Sequence, residues 1–106
     1  MKTYPIYVAR NSYRGSDARK RAKAQRENEQ AAALEAHVNQ LLRAQTEPIR
    51  VYLWGEIASG SGLSYETVAR LGYSIDGGSG GFTAWRHDMT YEQAMNAHSA
   101  GGQPTA

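Results

Sequence analysis

The run IASGSGLSYETVARL, Ile57 to Leu71, restricts the fold of this 106-residue chain more than any other stretch. Ser59-Gly60-Ser61-Gly62 interrupts any helix, because serine hydroxyls compete for backbone groups and glycine favours turns. Ser64 then stands where an N-cap belongs, with its hydroxyl in reach of the amide of Glu66 or Thr67. Glu66 in the first turn suits the positive end of the helix dipole. Val68 and Leu71 face inward with Leu63, while Tyr65, Glu66, Thr67 and Arg70 point elsewhere. The stretch therefore predicts a helix end, a glycine-bearing turn and a second short helix.

Upstream, Thr46-Glu47-Pro48 reads as a helix restart, with proline at a first helical position. The helix it opens, from Ile49 to about Ser59, places Ile49, Leu53 and Ile57 on one face, with Val51 and Trp54 nearby. Before it, Ser16 to about Gln45 reads as one long helix, capped by Ser16 or Asp17 and free of glycine and proline. Its first half is basic and has no apolar stripe beyond alanines, whereas Leu34, Val38, Leu41 and Leu42 give the second half a packing face. That face serves either the core or a helix-mediated dimer, and the two uses are compatible. At the start of the chain, Tyr4, Ile6 and Val8 alternate with Pro5, Tyr7 and Ala9, which suits an edge strand or extended arm.

Downstream, Gly72 reads as the C′ residue of the second helix. Tyr73-Ser74-Ile75 and Phe82-Thr83-Ala84-Trp85 are two short β-prone runs. Between them Asp76 to Gly81, DGGSGG, reads as a hairpin loop. A last helix, Thr90 to His98, opens with a Thr90–Gln93 capping box, and residues 99–106 read as a disordered tail.

The Ile49–Gly72 stretch resembles the helix-turn-helix superfamily. Ala58 matches the small residue that lets the second helix cross closely, Gly62 the turn glycine four residues later, and Val68 with Leu71 the buried aliphatics that follow. Ser61 departs from the pattern, which usually has an apolar residue there, and points to a looser turn. A plain helical hairpin with a Gly-rich turn is the alternative. A hairpin directly after the second helix makes the resemblance that of a winged helix-turn-helix. The expected fold is mainly α with a small β-hairpin: an arm at 1–15, a long basic helix at 16–46 and the winged domain at 47–98.

The resemblance implies that the second helix enters the DNA major groove, with Ser64, Tyr65, Glu66, Thr67 and Arg70 as candidate contacts. Charge distribution bears on the same question. Residues 1–26 carry eight Lys/Arg against Asp17, whereas residues 47–88, which hold the motif, have a net charge of −2. Phosphate affinity is therefore expected from Arg14, Arg19, Lys20, Arg21, Lys23 and Arg26. The wing residues Gly78, Ser79 and Gly80 offer backbone amides and one hydroxyl but no cation. One such domain reads few base pairs, so a homodimer on a palindrome is expected.

Other chemistry finds little support. The chain has no cysteine, and His37, His87 and His98 share no metal-ligand spacing. There is no H-E-x-x-H and no paired-carboxylate motif, and GGSGG lacks the GK[ST] ending of a phosphate loop. No enzyme, metal or cofactor is expected. No apolar run approaches the roughly 20 residues of a membrane span and no signal-peptide core is evident, so a cytoplasmic protein is expected. The leading expectation is a double-stranded DNA-binding transcriptional regulator, activator or repressor. The alternative is a protein-interaction or RNA-binding module on the same scaffold. No effector ligand is legible.

Overall fold

The computed structural model describes residues 1–77 and 80–102. Its elements, in order, are α1 (Ala18–Ala44), β1 (Ile49–Leu53), α2 (Trp54–Ser61), α3 (Tyr65–Asp76), β2 (Gly81–Trp85) and α4 (Tyr91–Gly102). It is mainly helical, with one small antiparallel sheet.

The Asp17 carboxylate starts α1 by accepting from the amides of Arg19 and Lys20. Ala31, Leu34, Val38 and Leu42 are buried along one face and join the core, so the apolar half of α1 is used within the chain. In the basic half only Ala24 is buried. At the helix end Gln45 is buried and fully used. Its amide nitrogen donates to the carbonyls of Glu47 (2.9 Å) and Ala84 (3.1 Å), and its oxygen accepts from the Tyr52 hydroxyl (2.8 Å). This network fixes the end of α1 to both strands.

Four expectations are corrected here. Ile49–Leu53 is a strand, not the start of a helix, and α2 begins only at Trp54. Ile49, Leu53 and Ile57 are spaced for a helix face, but residues 49–53 also alternate. Pairing with β2, from Ile49↔Trp85 to Leu53↔Gly81, decides in favour of the strand and buries Tyr52. Likewise Tyr73-Ser74-Ile75 is not a strand, because α3 runs through it to Asp76 and ends at Gly77. Gly72 is no terminator. It lies inside α3, where a Cβ would come within 2.8 Å of the Trp54 indole, so the space and not a helix stop calls for glycine. The sheet is therefore not a hairpin following the second helix; its two strands bracket the α2–α3 pair.

The turn between those helices follows the residues. Gly62 adopts φ +77°, open to glycine at little cost, and its amide donates to the Ala58 carbonyl (3.2 Å). Ser61 does not loosen the turn: its hydroxyl accepts from the Leu63 amide (3.3 Å) and lies 3.5 Å from the Ala58 carbonyl. Ser64 caps α3 by accepting from the Thr67 amide.

The start of the chain is part of the fold. Lys2 bridges to β2 in parallel, its amide donating to the Thr83 carbonyl (3.0 Å) and its carbonyl accepting from Trp85 (2.9 Å). Ile6 and Val8 are buried in the same core cluster as Leu34, Tyr52, Trp54, Ile57, Val68 and Phe82. The arm's backbone is met by polar side chains of α1. Asn39 accepts from the Ile6 amide (2.8 Å) and donates to its carbonyl (3.1 Å), Asn28 does the same for Asn11 (2.7 and 3.0 Å), and Glu35 accepts from Val8 (2.9 Å).

In α4, Thr90 and Gln93 cap each other reciprocally (3.0 and 3.1 Å), Ala94 is buried, and the Tyr91 ring stands edge-on to Trp85. This helix continues past His98 to Gly102, so the expected tail starts too early; Gln103 to Ala106 lie outside the described residues.

Candidate nucleic-acid interface

The outer face of α3 is built by the same periodicity that buries Val68, Gly72 and Ile75. Glu66, Arg70 and Tyr73, spaced i, i+4, i+7, are all exposed, and Tyr65 is exposed at the helix start. Ser64 and Thr67 are less available. The Ser64 hydroxyl donates to the Thr67 hydroxyl (2.8 Å) while accepting from its amide (3.2 Å), so both are engaged in the cap. Tyr73, 67% exposed, belongs to this helix face, which sequence reading missed by placing it in a β-prone run. Its spacing from Glu66 and Arg70 carried the signal, masked by reading Gly72 as a stop.

On α1, Arg19, Lys20, Arg21, Lys23 and Arg26 are all exposed. Five cations within eight residues place positive charge around the helix, and Arg19, Lys23 and Arg26 share one face through their i, i+4, i+7 spacing. Arg14 lies in the exposed turn before α1, lining a shallow hollow with Tyr13 and Arg21. Lys20 sits over the Tyr13 ring, 5.9 Å from its centre.

Ion pairing sorts the cations. Arg10 is held by Glu35 and the Val8 carbonyl, Arg50 by Glu47 and Glu56, and Arg86 by Asp88 and the Thr46 carbonyl. These brace the fold. Among the described residues, Arg14, Arg19, Lys20, Arg21 and Arg26 have no acidic partner within 4.0 Å.

Both groups of candidate residues meet at Glu27, which sequence reading also missed. Its carboxylate accepts from the Asn11 side chain (2.9 Å) and lies 4.0 Å from Lys23 Nζ and 4.0 Å from Arg70 Nη1. The Asn11 hydrogen bond, then the fields of Lys23, Arg70 and Arg26, hold its pKa below the usual glutamate value. The one cation of α3 therefore borders the basic face of α1.

Of the wing candidates, Gly78 and Ser79 lie outside the described residues. Gly80 is exposed, and its carbonyl accepts from the Trp54 amide (3.1 Å), tying the loop to the start of α2. The histidines belong to different surroundings: His37 lies against Gly60, the His87 ring meets Tyr4 at 6.0 Å, and His98 is exposed on α4. Asp88, beside His87, pairs with Arg86. Among the described residues no three metal-ligating side chains converge, and no helix is long and apolar enough to cross a membrane. Comparison with protein-family models, with curated proteins and with solved structures returns no match.

Proposed function

We propose that this chain is a sequence-specific double-stranded DNA-binding regulator of the winged helix-turn-helix type, acting as a homodimer. In this reading α3 lies in the major groove and the basic half of α1 lies along phosphates. The observation that carries it is the junction at Glu27, where the exposed Glu66–Arg70–Tyr73 face of α3 adjoins the Lys23–Arg26 face of α1. A groove-reading helix supplies base contacts but little attraction here, because Arg70 is its one cation. The neighbouring α1 surface supplies the missing charge. The strand that follows α3 stands where a wing would begin, with β1 as its partner.

Selection of bound sequences from a random duplex pool tests the proposal, and a symmetric enriched site is the expected result. Arg70→Ala should then cost about 1–3 kcal/mol on that site and relax preference at one position per half-site. A pool that yields no enriched sequence overturns the proposal. It would favour the protein-interaction reading, for which Tyr65 and Tyr73 on α3 are more than half exposed, while Trp85 is only partly so.

A further inference from the structure

We infer that Glu27 sets the discrimination between specific and non-specific duplex, by opposing phosphate contact at the junction of α1 and α3. This rests on the DNA-binding function proposed above. Glu27 is the first acid in α1, after five cations. It faces Lys23 and Arg70 at 4.0 Å each, with its side chain 23% exposed and Asn11 fixing its second oxygen. These separations are too long for tight pairs, and exposed pairs of this kind are weak. Glu27 therefore does not lock either cation away from DNA. Its field acts instead on what approaches them. A phosphate coming to Arg70 or Lys23 meets a fixed negative charge a few ångströms off, wherever on a duplex the protein lands. A guanine edge offers Arg70 two neutral acceptors, which that charge opposes far less. The repulsion falls mainly on contacts that carry no sequence information, and specificity is the difference between the two kinds of binding.

Glu27→Gln isolates the charge, since the glutamine carbonyl can still accept from Asn11. The expected result is severalfold tighter binding to a random duplex, with a salt dependence steeper by about one unit of log–log slope. Affinity for the selected site should change less, so the ratio of specific to non-specific binding falls. Asn11→Ala, which removes the hydrogen bond and keeps the charge, should leave that ratio unchanged. An unchanged ratio in Glu27→Gln overturns the inference, as does the same loss of discrimination in Asn11→Ala, because Glu27 would then act by holding the arm. A wild-type chain that binds no duplex overturns the proposed function itself.

Discussion

Tyr52 shows how one residue couples burial to hydrogen bonding. Its ring stacks on Phe82, the Arg50 guanidinium lies over it at 4.8 Å, and its hydroxyl completes the Gln45 network beneath the sheet. Tyr52→Phe keeps the ring but leaves the Gln45 oxygen buried without its donor, a loss of about 1–3 kcal/mol near neutral pH. Burial pushes the Tyr52 hydroxyl above its ordinary pKa of 10.0. Its contribution is therefore complete below that pH and declines as pH rises through the folded-state value, because the unfolded chain ionises first. Thermal melts of both proteins from pH 7 to 11 check this: the gap between them should be widest near neutrality and narrow above pH 10. A gap that widens with alkali would contradict it. Gly72 makes the complementary case, since its role is the space it leaves for the Trp54 indole.

Among the elements, the arm is the one whose attachment is polar at its edges and apolar beneath. Ile6 and Val8 enter the core, but Asn39 and Asn28 secure the backbone on either side by pairing with both an amide and a carbonyl. Asn39→Leu, close in shape, orphans the Ile6 amide and carbonyl. Hydrogen exchange should show lost protection at Ile6 and Val8 while amides in the middle of α1 keep theirs, with global stability lower by about 1–3 kcal/mol. Loss of protection throughout α1 would mean the clamp holds more than the arm. Asparagine is a poor residue for a helix interior, so Asn28 and Asn39 were a visible sign that α1 receives something polar. What they receive was not visible, because nothing local links residue 6 to residue 39. The same distinction explains what else could be read. The caps at Asp17, Ser64 and Thr90 and the turn at Gly62 depend on neighbours a few residues away, and the structure has each of them. The strand at 49–53 depends on residues 81–85, and the glycine at 72, read locally as a helix stop, answers instead to the Trp54 indole packed against it. Local periodicity misjudged both. At the candidate interface the individual cations were legible, but their meeting at Glu27 was not, because it brings α1 to α3 across forty-three residues of chain.

At the scale of the molecule, charge and shape divide together. The principal extents are 64 × 24 × 21 Å, and α1 alone, at about 1.5 Å per residue, accounts for about 40 Å. Residues 1–26 carry a net charge of +7 and residues 27–106 a net charge of −5. The basic half of α1 is thus the part of the molecule that a polyanion attracts, while the rest repels it. On the proposed function this separates affinity from specificity by element. Replacing Arg19, Lys23 and Arg26 together by glutamine tests the division with little risk to the fold. Glutamine is a good helix former, all three side chains are exposed, and of the three only Lys23 has a carboxylate within 4.0 Å among the described residues. If each cation meets one phosphate, the log–log salt slope of duplex binding should become shallower by about 2.7, at about 0.9 per contact. Random and selected duplexes should weaken by the same factor, so the preferred sequence stays preferred. Arg70→Ala should do the reverse, weakening the selected site more than the random one. Fluorescence titrations of both variants at several salt concentrations distinguish the two patterns. A triple variant with an unchanged slope would move the phosphate contacts off α1, and one that lost sequence preference would show that the basic face reads bases as well as backbone.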